Sequence, residues 1–368
     1  DIDKNRIKEL INGIDRNNLK NRINKKNLLF TSKISFLRKC NFFIVCVPTP
    51  VSKSNKPDLR PLIKATETVS KALKKKDILF FESTVFPGVT KKICGKLIEK
   101  KTGLRINKDF FLGYSPERVN PGDTKKTIDK IKKIVAFENK ENFHKVKIIY
   151  KNISKKIFFT TNLEEAETSK VIENIQRDLN IALFNEIFMV CEKINLKFEN
   201  VIKLAATKWN FIKYNPGLVG GHCLPVDPYY FSYFASSKGL KTNIILAGRK
   251  VNNNMKNFIE KKIILNLKLN KKDKEKKILL CGLTYKENVP DIRNSQAIEI
   301  LKSLRSKKFN ITGYDPYLTN DECRKLQVKN KINNINKFDK IVVLTTHKEI
   351  IKKISKLKKS KVLFPFKN

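Results

Sequence analysis

Short runs without a polar residue alternate with amphipathic helical stretches along much of this chain, and few architectures accommodate that alternation. Phe42-Phe43-Ile44-Val45-Cys46-Val47 stops at Pro48-Thr49-Pro50, a helical pattern occupies about 62–73, and Ile78-Leu79-Phe80-Phe81 repeats the run. Phe110-Phe111-Leu112-Gly113-Tyr114 follows as a third. Strands apolar on both faces need cover on both faces, which helices packed on a parallel sheet provide. The last third repeats the theme: strand-like 278–283, a helix at 295–304, then strand-like 310–315 and 341–344. An α/β fold with two doubly wound parallel sheets is therefore expected.

Between these parts the pattern changes. From 123 to 159 the chain is lysine-rich, and only short strands such as 133–137 are read there. Asn162, with Glu165 three residues later, marks a helix start, and Ala166, Ile172, Ile175, Leu179, Ala182 and Leu183 continue at helical spacing towards Ile194. That apolar face is longer than one small domain needs, so the helix is expected to build a homodimer. A glycine-rich segment at 216–221, a further helix near 241–267 and a lysine cluster at 271–277, read as a solvated linker, complete the order. Three domains are expected, at 1–160, 161–268 and 269–368.

Seventy-eight Lys and Arg against 35 Asp and Glu leave a formal net charge of +43, spread over every segment. With no nucleic-acid-binding motif beside it, this charge is read as chain-wide drift that helps to steer an anionic substrate, not as a nucleic-acid site. No run approaches the ~20 apolar residues of a membrane span, and no leader opens the chain, so no membrane partner and a cytoplasmic location are expected. Seven scattered cysteines without a CxxC pair imply neither a disulfide framework nor a metal site. Cys46, Cys191 and Cys281 sit in apolar runs and are expected as core filler. Cys223 differs: it follows Gly220-Gly221-His222 and precedes Pro225 and Asp227, a setting in which backbone lies open to a ligand.

Five segments then occur in a telling order. They are Val45-Cys46-Val47-Pro48-Thr49-Pro50; Glu82-Ser83-Thr84-Val85-Phe86-Pro87-Gly88; Gly113-Tyr114-Ser115-Pro116-Glu117-Arg118-Val119-Asn120-Pro121-Gly122; Pro216-Gly217-Leu218-Val219-Gly220-Gly221-His222-Cys223; and Lys286-Glu287-Asn288-Val289-Pro290-Asp291-Ile292-Arg293. Together they resemble the UDP-glucose/GDP-mannose dehydrogenase family over nearly the whole chain. The resemblance implies two Rossmann-like domains joined by a helical dimerisation segment, and an NAD-dependent, four-electron oxidation of a sugar C6 alcohol. Cys223 falls at the nucleophile that carries a thioester, Lys170 and Asn174 at the groups holding the C6 oxygen, and Asp227 at the acidic partner that takes its proton. Glu117 matches the carboxylate that assists thioester hydrolysis, and Thr84 the hydroxyl that positions the water. His222 is expected to point away from its neighbour Cys223, and His347 to be structural.

For the cofactor NAD, the resemblance implies Asp1 and Arg6 near the adenosine ribose, Val47, Thr49 and Thr84 on the nicotinamide side, and Arg293 reaching in from the C-terminal part. The family's first strand and Gly-x-Gly-x-x-Gly turn would precede Asp1, and their loss from the N-terminal domain is expected. Glu117, Lys170, Asn174, Tyr214, Gly217, Gly220 and Lys286 match positions that hold the UDP-sugar. Lys208-Trp209-Asn210-Phe211 and Asp227-Pro228-Tyr229-Tyr230 resemble the UDP-N-acetylhexosamine branch of surface-polysaccharide synthesis, although Asn215 stands where that branch often has a basic residue. The alternatives are UDP-glucose or UDP-ManNAc as substrate, or an inactive remnant that only binds nucleotide sugar.

Overall fold

The computed structural model describes residues 1–14, 28–120, 127–269 and 275–367, which leaves Pro121, Gly122 and 271–274 of the lysine cluster outside the described residues. The chain forms two compact units, one of 1–49, 59–117 and 132–167, the other of 50–58, 118–131 and 168–368.

The first unit holds a five-stranded sheet in the order β1 (Phe42–Val45), β2 (Ile78–Phe81), β3 (Phe111–Tyr114), β4 (Lys133–Phe137), β5 (Ile157–Thr160). Around it lie α1 (Lys4–Ile11), α2 (Arg60–Ser70), α3 (Lys96–Thr102) and α4 (Phe143–Ile153). β1, β2 and β3 are parallel, in the register Phe42 to Ile78 to Phe111. The parallel sheet that was expected is present, with one exception: β4 pairs antiparallel with β3. As a result, β4 begins at the end of the sheet where β1–β3 finish. α4 also escaped the sequence reading: its buried stripe is only Val146 and Tyr150, one turn apart, among outward lysines. β2 is buried along its length, whereas Ile44 of β1 is exposed. Gly113 lies under the Phe80 ring, where a Cβ would stand 2.2 Å from a ring carbon, so no larger residue lets β3 approach β2 this closely.

α5 (Leu163–Lys193) leads into the second unit, followed by α6 (Phe198–Ala205), α7 (Asp227–Ser237) and α8 (Asn243–Asn266). Asn162 starts α5 as expected, its side-chain oxygen accepting the Glu165 N–H at 3.2 Å. β6 (Ile278–Cys281), β7 (Ile311–Tyr314), β8 (Lys340–Val343) and β9 (Val362–Leu363) form an all-parallel sheet in the order β7-β6-β8-β9. α9 (Gln296–Ser306), α10 (Asn320–Leu326) and α11 (Lys348–Ile354) accompany these strands. Phe188, Met255, Ile259, Ile263, Leu280, Leu301 and Val342 belong to one buried cluster, which ties α5, α8 and α9 to the sheet. Among the described residues no helix is long and apolar enough to cross a membrane.

Candidate active site

In the second unit, four polar residues of α5 line one buried stripe of the helix. Lys170, Asn174, Asp178 and Asn185 of α5 recur at helical spacing, and all four are buried. Such a stripe is costly unless every group finds a partner. Asn174 donates Nδ2–H to Asp227 Oδ2 at 2.5 Å. Burial pushes the Asp227 carboxyl up to about 6, partly offset by the Lys170 charge and the Asn174 hydrogen bond. A group titrating there is ready to exchange a proton near neutral pH.

Asp227 begins α7, and both its N–H and that of Val226 donate to the Cys223 carbonyl, at 2.8 and 3.0 Å. The Cys223 thiol is half-buried. Burial and the Asp227 carboxylate push it up, while the charges of Lys170, Arg293 and Arg177 pull it back. Lys170, Asn174, Asp227 and Cys223, drawn from two stretches about fifty residues apart in sequence, thus meet in one place. His222 departs from expectation, with both ring nitrogens 3.9 Å from Cys223 Sγ. Burial and nearby Arg293 hold its imidazole below the usual range.

The loop before Cys223 is pinned at several points. Gly217 exchanges two hydrogen bonds with the Asn185 amide, at 2.8 and 3.1 Å. Gln296 donates to the Val219 carbonyl at 2.9 Å, and Asn294 to that of Gly221 at 2.8 Å. Gly221 has φ of 83°, and a Cβ there would lie 2.9 Å from the Tyr285 ring, so glycine is required. Its N–H donates to the Arg293 carbonyl at 2.9 Å, while the Arg293 guanidinium grips Asp291. Asn185, Tyr285, Asp291 and Gln296 were not foreseen. The first had a readable signal, lying eleven residues beyond Asn174 on the same helix face.

Beside this loop opens a cavity of about 460 Å³, walled by Asn215, Gly217, Leu218, Gly220, Tyr285, Lys286, Gln296, Thr345 and Phe366 among others. Its size suits a nucleotide. Gly217, Gly220 and Lys286 are thus brought to the cavity wall, and Lys286 Nζ also donates to Asn120 Oδ1 at 2.6 Å. Tyr214 packs on Phe184, ring centroids 6.0 Å apart.

The other anticipated residues belong to the first unit. Val47 and Thr49 follow β1, Thr84 follows β2, and Glu117, exposed, follows β3, all at the carboxyl ends of parallel strands where such sheets hold ligands. Ser83 Oγ accepts the Val47 N–H at 3.0 Å and donates to its carbonyl at 2.6 Å, while Thr49 Oγ1 donates to the Thr84 carbonyl at 2.7 Å. These uncharged groups fit the amide-bearing ring of a nicotinamide dinucleotide. The helix start after β2 is already filled, since buried Glu167 accepts the Gly88 and Thr90 N–H groups and is pushed up to about 7 by that burial. Asp1 is exposed and accepts the Asp3 N–H, and Arg6 pairs with Glu9.

Below the strand ends lies a buried group the sequence did not announce. Lys133 meets Glu82 at 3.1 Å, and the Tyr150 hydroxyl donates to the same carboxylate at 2.8 Å. Cys46, expected in the core, is instead exposed just past β1. Among the described residues no cluster of three His, Cys, Asp or Glu is set to hold a metal ion.

A unit whose parallel strands β1 and β2 end in Val47, Thr49 and Thr84, uncharged groups suited to a nicotinamide, and a second unit with a cysteine loop beside a nucleotide-sized cavity, define a dehydrogenase class. Three family models match the chain: the NAD binding domain of the UDP-glucose/GDP-mannose dehydrogenases over 1–154, the central domain over 164–254 and the UDP binding domain over 279–368. Protein CapL of Staphylococcus aureus is 43% identical over 329 residues, covering 88% of this chain and 78% of that protein. The UDP-N-acetyl-D-glucosamine 6-dehydrogenase of Salmonella typhi is 39% identical over 95% of this chain and 84% of its own length. Among solved structures, a UDP-D-ManNAc dehydrogenase from Pyrococcus horikoshii superposes with a TM-score of 0.82 at 30% identity, covering 98% of this chain and 86% of that one. The chain belongs to the UDP-glucose/GDP-mannose dehydrogenase family and is an NAD-dependent oxidoreductase of nucleotide sugars.

Proposed function

We propose that this protein oxidises the C6 alcohol of a UDP-N-acetylhexosamine to the carboxylate through a thioester on Cys223, supplying a precursor for surface polysaccharide. The observation that carries the reading is the meeting of Cys223, Lys170, Asn174 and Asp227 beside the nucleotide-sized cavity. Lys170 and Asn174 hold the C6 oxygen, and Asp227 takes its proton. Two NAD molecules, bound in turn, would accept the two hydrides; Val47, Thr49 and Thr84 would hold the nicotinamide side, and family resemblance assigns Asp1 and Arg6 to the ribose and Arg293 to a further contact. Cys223 Sγ adds to the aldehyde carbon, forming the C–S bond that survives the second oxidation as a thioester. Water then breaks that bond, with Thr84 and Glu117 assigned to it by family resemblance, and the thiol is regenerated. Three functional parts, NAD-binding 1–160, central 161–268 and UDP-binding 269–368, divide the work. Support for the N-acetylhexosamine comes from the name of the Salmonella typhi relative.

The deciding experiment offers the protein and NAD a panel of UDP-N-acetylglucosamine, UDP-N-acetylgalactosamine, UDP-N-acetylmannosamine and UDP-glucose, measuring kcat/KM for each. The N-acetylhexosamines of the gluco and galacto series are expected at least tenfold ahead. Preference for UDP-N-acetylmannosamine or UDP-glucose would overturn the assignment of substrate.

A homodimer forms part of this proposal. Ile172, Leu183 and Val190 are each at least half exposed and recur along one side of α5, at intervals of eleven and seven residues. An apolar stripe of this kind is what a second copy covers. Sedimentation at micromolar concentration should give twice the 42.7 kDa chain mass, and a monomer would contradict the reading.

A further inference from the structure

One histidine outside the reacting centre is held in a single protonation geometry. His347 is fully buried where β8 leads into α11. Its Nδ1 accepts the backbone N–H of Asn288 at 2.8 Å, so that nitrogen carries no proton. Its Nε2 lies 3.0 Å from Asp315 Oδ2 and 3.0 Å from Thr284 Oγ1, so Nε2–H is the donor. Asp315 is itself fully buried. Its carboxylate also accepts the Leu283, Thr284 and Tyr317 backbone N–H groups, at 2.7, 2.9 and 2.9 Å.

The residue that His347 grips lies in a turn immediately following the cavity wall. Asn288 has φ of 58°, the left-handed conformation that asparagine adopts more readily than other non-glycine residues. Its side-chain oxygen also accepts the Lys348 N–H at 2.9 Å, so the turn is tied to the start of α11 twice. Residues 284–287 just before it, including Tyr285 and Lys286, wall the nucleotide-sized cavity.

We propose that His347 is a positioning residue for nucleotide-sugar binding: oriented by Asp315, its unprotonated Nδ1 holds the Asn288 N–H and thereby sets the 284–288 loop that presents Tyr285 and Lys286 to the cavity. This rests on reading that cavity as the nucleotide site. Asp315 orients the ring, the ring holds the backbone, and the backbone places the two side chains.

Two substitutions separate this role from mere packing. In His347→Asn the side-chain oxygen replaces Nδ1 and still accepts the Asn288 N–H. In His347→Gln the amide replaces Nε2 and keeps the bond to Asp315 instead. Calorimetry with UDP-N-acetylglucosamine on the full chain is expected to give the Asn variant an affinity within about threefold of the unmodified protein, and the Gln variant a loss of at least tenfold. Equal affinities in the two variants, or the reverse order, overturn the proposal. Amide hydrogen exchange without ligand supplies an independent arm: the Asn288 amide should be protected in the unmodified protein and in His347→Asn, and at least tenfold faster in His347→Gln. Rapid exchange of Asn288 in the unmodified protein also overturns it. Should the exchange pattern hold while UDP-N-acetylglucosamine fails to bind the unmodified protein, the reading of the cavity falls and the loop anchor stands as a structural one, which also ends the positioning role.

Discussion

Replacing Cys223 by Ser should lower the formation of acid from UDP-N-acetylglucosamine at least ~10³-fold while leaving sugar-nucleotide affinity within about threefold. The substitution exchanges one atom on a side chain whose backbone carbonyl is already held by Val226 and Asp227, so the loop has no reason to move. What changes is chemistry. A hydroxyl is a far weaker nucleophile than a thiol near neutral pH, and Asp227, titrating at about 6, is too weak a base to ionise it. Quantifying uronic acid by chromatography and binding by calorimetry separates the two effects. Turnover like that of the unmodified enzyme would remove Cys223 from the mechanism.

Arg249→Met should destabilise the protein by about 3–5 kcal/mol, a large share of a domain's stability. Arg249 of α8 and Asp178 of α5 are 2% and 1% exposed and meet at 2.6 Å. Asn252 donates to the same Asp178 oxygen at 2.8 Å. Without the guanidinium, the carboxylate is left buried and uncompensated. Burial already pushes Asp178 up, the Arg249 charge and the hydrogen bonds from Arg249 and Asn252 pulling it back. Losing Arg249 raises it further, so the native state of the variant holds a proton that the unfolded state releases. The variant's stability therefore falls as pH rises through the carboxyl range, and its deficit shrinks on acidification. Urea unfolding followed by circular dichroism at pH 5 and 8 tests this, and a pH-independent loss below 1 kcal/mol would contradict it.

These two sites differ in how much of them sequence reading could reach. Cys223 stood out because a glycine pair and two further turn-forming signals surround it, whereas Lys170 and Asn174 were reached through the family resemblance, their four-residue spacing placing both on one helix face. Asp178 and Asn185 extend that face, a polar stripe readable in principle, yet their partners Arg249 and Asn252 lie more than sixty residues away. The Glu82, Lys133 and Tyr150 group is hidden for the same reason: it exists only because β4 turns antiparallel and starts beside the end of β3. β2 and β6 were legible as runs buried on both faces. Cys46 was misread because an apolar run does not reveal where its strand stops. His347 shows the limit most plainly, since a lone histidine announces neither its Asp315 partner nor the Asn288 amide it holds.

Peptide mapping of the enzyme, acid-quenched during turnover with NAD and UDP-N-acetylglucosamine, tests the central claim most directly. A hydroxylamine-labile acyl group with the mass of the oxidised sugar nucleotide should be found on the peptide carrying Cys223, and be absent when NAD is omitted. Accumulation of acid with Cys223 unmodified, or with the acyl group on another cysteine, would contradict the thioester account.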